Sequence, residues 1–411
     1  MEFDRVHFYV EDALTSRNWF IDQLGFQAIA SEVNHETQTE VVCSGRVYFF
    51  LSSPLSRSSP VAHWLKLHPP GVADVAFRVK NLDSVLKKAV AAGAKLLEPM
   101  QQIRLSEGTL KRAKIAGWGD VTHTLSEAVT DFASDSQEDL LREILAVDLE
   151  STTSSKKQKH NLFNQPLFIP PSLTVNPSTQ SLSHSSVNPA LFRLIHPQKL
   201  FTQIDHVVLN VEAGDLEAAL NWYQTVLGFE PQQDFKIQTN QSALRSRVML
   251  HPDGGVKLPI NEPASANSQI QEFLEVNQGP GIQHIALQTE NILQVVRELR
   301  PRGLSFLTVP SSYYQQVRQQ WGQYLAATEW ETIEACQILV DCQGGVSEGM
   351  LLQIFTQPIF EKPTFFFELI ERRIGWVNGE QIQAQGFGEG NFRALFEAIE
   401  REQLKRGSLG G

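Results

Sequence analysis

Asp205-His206-Val207-Val208-Leu209-Asn210-Val211-Glu212 repeats the pattern of Asp4-Arg5-Val6-His7-Phe8-Tyr9-Val10-Glu11. Both stretches are β-branched and apolar enough to read as strands. The likeness continues outward. After a two-residue offset, Asn18-Trp19-Phe20 meets Asn221-Trp222-Tyr223, and Leu24-Gly25-Phe26 meets Leu227-Gly228-Phe229. Pro70-Gly71-Val72-Ala73-Asp74-Val75-Ala76-Phe77 then aligns with Pro280-Gly281-Ile282-Gln283-His284-Ile285-Ala286-Leu287, a register that runs without a gap to Gly93 and Gly303. One large unit copied once is a duplicated domain, not a solenoid.

Each copy reads strand, helix, then several strands. Leu216, Ala219, Leu220, Tyr223 and Leu227 recur at helical spacing, with Asp215 as the expected N-cap and Gly228 as the stop. Ile292, Val295, Val296 and Leu299 form a second apolar stripe, matched by Leu82, Val85, Leu86 and Ala89. The expected fold is therefore α+β, with duplicated βαβββ modules and curved, half-open barrel sheets. The expected domains are 1–133, a Ser/Pro-rich linker over 134–199, and 200–411. Ser151 to Ser155 is nearly all Ser and Thr, and Pro170, Pro171, Pro177 and Pro189 interrupt the run that follows. Such composition buries little and predicts a mobile, protease-sensitive connection. Leu162, Phe163, Leu167, Phe168 and Ile169 form an apolar patch within it that should dock elsewhere.

Three polar residues interrupt strand-like runs in the second copy. They are His206, His284 in Gly281-Ile282-Gln283-His284-Ile285, and Glu368 in Thr364-Phe365-Phe366-Phe367-Glu368-Leu369. A His or Glu in a sheet layer is costly unless a partner holds it. Any one alone reads best as a satisfied structural residue. Together, two histidines and a carboxylate match the facial triad that binds non-heme Fe(II) and leaves coordination positions open. The repeat sharpens this. The first copy has Arg5, Asp74 and, with Glu127 aligned on Glu371, Thr124 at the corresponding places. The fold does not demand the ligand residues, which favours an oxygen-activating iron site in the second copy and a packing role for the first.

The chain has 411 residues, a net charge of -11, 42% hydrophobic and 20% charged residues. Acidity argues against nucleic-acid or anionic-membrane partners. Three cysteines, Cys43, Cys336 and Cys342, give no disulfide framework and fit a reducing compartment. No basic leader precedes the first strand and no apolar run is long enough to span a bilayer, so a cytoplasmic protein is expected.

The second half resembles 4-hydroxyphenylpyruvate dioxygenase, of the vicinal oxygen chelate superfamily. The resemblance rests on Ile204 to Val208, Leu258-Pro259-Ile260-Asn261-Glu262-Pro263, Ser268 to Gln271, Gly281 to Ala286, Tyr313-Tyr314, Leu351 to Thr356, Pro363 to Glu368, and Gly386-Phe387-Gly388-Glu389-Gly390-Asn391-Phe392. It is weaker over the first copy. It implies Fe(II) held by His206, His284 and Glu368, with 4-hydroxyphenylpyruvate and O2 converted to homogentisate and CO2. Such an ion with two neutral imidazoles and one carboxylate carries one residual positive charge, which a 2-oxo carboxylate cancels.

The same match implies further roles. Gln283, Gln353 and Phe355 would act in catalysis. Ser246, Asn261, Gln269 and Asn391 would hold the substrate without adding charge, and Phe366, Phe387 and Phe392 would wall its ring. A C-terminal helix carrying Phe392, Leu395, Phe396 and Ile399, with Asn391 at its start, would cover the site, hinged at Gly386, Gly388 and Gly390. Three rivals remain open: a 4-hydroxymandelate synthase, an extradiol ring-cleaving dioxygenase, and a binding protein without chemistry. Self-association is open, as is whether homogentisate feeds tyrosine breakdown or quinone and tocopherol synthesis.

Overall fold

A computed structural model of the chain describes residues 1–105, 108–129, 199–342, 349–377 and 380–408. The linker expected over 134–199, with its apolar patch, lies outside these residues except for Lys199.

The first copy runs β1 (Glu2–Tyr9), α1 (Ala13–Leu24), β2 (Gln27–Val33), β3 (Thr37–Ser44), β4 (Val47–Pro54), α2 (Pro60–Trp64), β5 (Gly71–Arg78), α3 (Leu82–Ala91), β6 (Leu96–Leu105), β7 (Gly108–Ala116) and β8 (Thr122–Val129). These strands form one eight-stranded sheet in the order β2-β3-β4-β1-β5-β8-β7-β6. The second copy runs β9 (Gln203–Asn210), α4 (Leu216–Leu227), β10 (Glu230–Gln238), β11 (Ala243–Leu250), β12 (Lys257–Pro263), α5 (Gln269–Asn277), β13 (Gly281–Gln288) and α6 (Ile292–Leu299). It continues through α7 (Ser311–Trp321), α8 (Ala327–Ala335), β14 (Leu339–Asp341), β15 (Leu351–Phe355) and β16 (Phe366–Arg372). Its sheet order, β10-β11-β12-β9-β13-β16-β15-β14, is that of the first. A two-stranded ribbon, β17 (Ile374–Val377) with β18 (Glu380–Gln383), leads to α9 (Glu389–Arg406).

The duplication goes deeper than the visible repeat. Each sheet is itself two β–α–β–β–β units joined by an antiparallel pair at the centre, β1 with β5 and β9 with β13. The closing strand of each unit lies parallel to an opening strand, β4 to β1 and β8 to β5, β12 to β9 and β16 to β13. The pairing registers bear out the sequence alignment. Arg5 faces Ala76 as His206 faces Ala286, and His7 faces Asp74 as Val208 faces His284.

Helix ends show which residues the sheets lend to the helices. Asp215 sits at the N-cap of α4 without a side-chain bond to it. Glu262 of β12 instead accepts from the Leu216 N–H at 3.0 Å and the Gly214 N–H at 2.9 Å. In the same way Glu127 takes the Leu82 N–H and Glu371 the Ile292 N–H, both at 2.8 Å. These carboxylates satisfy orphan donors that a local cap would otherwise serve. Gly228 closes α4 at φ 75°, the left-handed conformation that favours glycine.

The two halves share an aromatic core. Phe8 meets Phe365 edge-on at 5.1 Å, and Phe49 lies 5.7 Å from Phe367. His123 is structural: its ring nitrogens lie 3.0 Å from Val75 O and 3.0 Å from the Tyr223 hydroxyl across the halves. Alternation along β16 then does two jobs at once. Phe365 and Phe367 face the first half, while Phe366 stacks on His284 at 4.7 Å and Glu368 joins it inside the second sheet's hollow. No helix among the described residues is long and apolar enough to cross a membrane.

Candidate metal centre

His206 on β9, His284 on β13 and Glu368 on β16 come from three adjacent strands. Ala286 is paired with His206 on one side and Glu368 on the other, and its small side chain leaves room for both to converge. The three ligand atoms lie within 4.8 Å of one another, and all three residues are buried. His206 Nε2 is 3.2 Å and His284 Nε2 3.6 Å from Glu368 Oε2.

The next ring of residues fixes these atoms. Asp205 Oδ1 accepts from His206 Nδ1 at 2.9 Å, which turns Nε2 toward the centre. Arg372 grips Asp205 with two bonds of 2.6 and 2.8 Å and also donates to the carbonyls of Ala384 and Gly386. Gln353 Nε2 donates to Glu368 Oε1 at 2.7 Å, leaving Oε2 to face the histidines. Nδ1 of His284 is buried without a partner, so the two imidazoles are held differently.

Charge follows this geometry. Burial alone would raise the Glu368 carboxyl, but the two facing histidines bring it down to about 2. Burial would lower His206, yet Glu368 and Asp205 outweigh it and raise it. His284, lacking a carboxylate behind it, is lowered by burial. Asp205 is likewise subject to burial, but Arg372 holds it well below the usual carboxylate range.

The group fits a divalent ion. Two nitrogen donors and one anionic oxygen converge in a buried place, and the opposite nitrogen of His206 is already spent on Asp205. The module symmetry also explains why the set stops at three. Extending the β9–β12 register by one residue puts Pro259 opposite Val208, where β16 has Glu368 opposite Ala286, and proline offers no side-chain ligand.

The ligand atoms open into a cavity lined also by Ser246, Asn261, Gln353, Phe355, Phe387 and Phe392. The sequence reading missed Val208, Phe235, Val248 and Pro259, which complete the wall together with Leu395 of the expected covering helix. Their apolar types carried no chemical signal. Four expected contacts do not line it. Phe366 is behind His284, in a stack of 19°. Asn391 is fully buried and bonds Gln353 and Tyr313. Gln283 lies buried at a β-bulge beside His284, where strict alternation fails. Gln269 begins α5, with its Oε1 buried and unpartnered. The Asp205–Arg372 pair was also missed. An Asp directly before His206 was its only local trace.

A polar stripe crosses the cavity wall. Ser246 and Asn261 are cross-strand partners, and Asn261 Nδ2 donates to Asn210 Oδ1 at 3.2 Å. Asn261 Oδ1, Asn210 Nδ2 and Gln269 Oε1 are buried with no partner. Buried polar atoms are normally satisfied, so these orphans suit a polar ligand. The expected cover is present. Phe387 meets His206 edge-on at 5.1 Å and Phe392 meets Phe235 at 5.6 Å. Helix α9 begins at Glu389, two residues before Asn391, after Gly388 at φ 66°. A Cβ on Gly388 would lie 2.6 Å from Gln353 Oε1, so this glycine permits the approach of cover to site.

Residues 203–320 match the Glyoxalase/Bleomycin resistance protein/Dioxygenase superfamily. The chain is 35% identical to a 4-hydroxyphenylpyruvate dioxygenase of Yarrowia lipolytica, with 99% of this chain and 93% of the relative covered. It is 34% identical to the enzyme of that name in Dictyostelium discoideum, with 99% of each covered. The chain belongs to the 4-hydroxyphenylpyruvate dioxygenase family. In fold it also resembles a triple mutant of 4-hydroxymandelate synthase from Streptomyces coelicolor, with a TM-score of 0.72, 24% identity and 98% of each chain covered. The family is one of metal-dependent dioxygenases, and the buried triad gives this member a place to hold the metal.

Proposed function

We infer that this protein is a ferrous 4-hydroxyphenylpyruvate dioxygenase, with His206, His284 and Glu368 as the iron ligands. The observation that carries the reading is the buried His/His/Glu group opening into a cavity walled by phenylalanines, in a chain alike over its length to dioxygenases of that name. Bound there, iron supplies the O2 activation that drives oxidative decarboxylation and ring hydroxylation, with side-chain migration to homogentisate.

The protein's own residues set the conditions. Asp205 keeps a proton on His206 Nδ1, and Gln353 occupies the outer oxygen of Glu368. The lining has no charged side chain besides the triad, so a monoanionic 2-oxo acid is balanced by the metal centre alone. Ser246 and Asn261 line the cavity and offer neutral hydrogen-bonding groups to the substrate's polar ends; Gln269, whose buried Oε1 has no partner, would have to turn toward the cavity to join them, and Gln283 flanks His284. Phe387 and Phe392 cover the cavity and exclude water from the reacting atoms. The three cysteines are free, which suits a cytoplasmic enzyme.

Phe355 favours homogentisate over 4-hydroxymandelate. It lines the cavity 6.5 Å from the His284 ring and 6.3 Å from Phe366. A bulky ring there limits rotation of the substrate and keeps its aromatic carbon facing the metal. The deciding experiment is anaerobic Fe(II) reconstitution, then 4-hydroxyphenylpyruvate with O2 and identification of the product. Homogentisate with CO2 is expected. Mainly 4-hydroxymandelate, or no turnover by iron-loaded protein, would overturn the assignment.

A further inference from the structure

Gln353 does not hold Glu368 unaided. Its Oε1 accepts from Asn391 Nδ2 at 2.7 Å, and Asn391 Oδ1 lies 2.9 Å from the Tyr313 hydroxyl. That hydroxyl in turn accepts from the Val340 N–H at 2.8 Å, with Val340 O at 3.0 Å. The run therefore joins four elements: α7 through Tyr313, β14 through Val340, the first turn of α9 through Asn391, and β15 through Gln353.

Its direction is forced. A carboxylate only accepts, so Gln353 must present its amide nitrogen to Glu368 and its oxygen to Asn391. Asn391 must then turn its oxygen to Tyr313. The phenol has one proton. Val340 N–H already fills one of its acceptor places, and the proton goes to the Asn391 oxygen, because two acceptor oxygens 2.9 Å apart need a hydrogen between them. Every dipole in the run points the same way, toward the carboxylate, and such chains strengthen their terminal bond. Asn391 is fully buried and Gln353 nearly so, which shields the run from competing water. Asp341, next to Val340, takes the Gly390 N–H at 3.0 Å and holds the same turn of α9.

We propose that Tyr313 is a positioning residue whose hydroxyl latches α9 and, through Asn391 and Gln353, fixes which oxygen of Glu368 faces the metal. Closure of the C-terminal cover and geometry of the metal ligand are then one event. A cover that lifts withdraws Asn391, frees Gln353 and lets the carboxylate rotate. The proposal rests on the reading of Glu368 as a metal ligand.

Anaerobic titration with Co(II), followed by its visible absorbance, tests this in the full chain without turnover. Tyr313→Phe removes only the hydroxyl and should weaken Co(II) binding about 3- to 10-fold, less than the ~10–100-fold of a direct outer-shell partner such as Gln353. Gln353→Leu should weaken it more, and the double variant no further than Gln353→Leu alone. Unchanged Co(II) affinity in Tyr313→Phe overturns the latch. So do losses that simply add in the double variant, because independent loosening of the fold would add.

Should Tyr313→Phe not fold, Asn391→Leu cuts the run while keeping the Tyr313–Val340 contacts. It should show the same Co(II) loss, and normal affinity there overturns the proposal. A wild-type chain that binds Co(II) but does not turn over 4-hydroxyphenylpyruvate overturns the substrate assignment, with the latch decided by the titration alone. A wild-type chain that binds no Co(II) overturns both.

Discussion

The two half-barrels share one strand order and one register, yet they differ in the polar residues at their centres. Where the second has His206, His284 and Glu368, the first has Arg5, Asp74 and Thr124. Those residues are satisfied by neighbours within the first half. Asp74 Oδ1 accepts from Thr122 at 2.6 Å and Thr124 at 3.1 Å, Arg5 pairs with Asp4 at 2.7 Å, and His7 bonds Ser52 at 2.7 Å. In the second half the corresponding level keeps buried atoms without partners, among them His284 Nδ1 and Asn261 Oδ1. The difference teaches that this sheet stabilises itself readily with closed polar pairs. A site exists where that closure has been withheld.

The widest contrast should come from Glu368→Ala against Thr124→Val. The first should abolish turnover and stoichiometric iron binding. The second should cost only stability, about 1–3 kcal/mol for a buried hydrogen bond, with turnover unchanged. Iron content and product formation measured together would break the comparison if both variants lost activity alike, or if wild-type chains held two catalytic irons.

Asp205→Asn against Asp4→Asn is the next test, since the two aspartates align. Asp205 is paired with the buried Arg372, so its loss leaves an uncompensated charge worth about 3–5 kcal/mol of stability and ~10–100-fold in metal affinity. Asp4 pairs with the buried Arg5 and with Arg78, whose side chain is 38% exposed, so its loss should also cost stability but leave metal binding intact. Urea unfolding and metal titration on both variants check the contrast.

A smaller effect is expected at Phe355. Placement errors of about 1 Å cost on the order of 10²-fold in rate, so Phe355→Ile should divert part of the product from homogentisate to 4-hydroxymandelate. Chromatography of the products decides it. An unaltered product profile would remove Phe355 from the selection of outcome.

The smallest effect belongs to the first half. Burial, with help from Lys114 and Arg5, brings His7 down to about 3. Between the unfolded value near ~6.5 and that figure, only the unfolded chain takes up the proton, so stability falls as pH falls. Measured as urea midpoints from pH 7 to pH 4, His7→Gln should show a shallower decline. The difference cannot exceed ~1.4 kcal/mol per pH unit, the limit for one proton. Parallel curves would show that His7 does not carry this term.

Much of this was legible along the chain because strands alternate and the duplication supplies its own control. The ligand triad, the helix stripes of α4 and α6, and Phe355, Phe387 and Phe392 as cavity wall all follow from local pattern or family match. The misreadings concern partners distant in sequence. Arg372 meets Asp205 across 167 residues, and Glu262 displaces Asp215 as the cap of α4 from 46 residues away. Asn391 and Phe366 are near the centre, but their side chains support other residues instead of touching the cavity. Sequence spacing states which strand a residue is on. It does not state whether a residue serves the ligand or the residue that serves the ligand.

Phe365-Phe366-Phe367-Glu368 has a further consequence. Its odd members pack against the first half and its even members face the candidate metal centre, so the segment behaves like a coding frame. Most single substitutions there change one letter on one face. Deleting or inserting one residue would exchange the faces, placing the carboxylate among the phenylalanines of the first half and a phenylalanine at the metal. What this strand protects most strictly is therefore its phase. The half without the His/His/Glu group is the ruler against which that phase is kept.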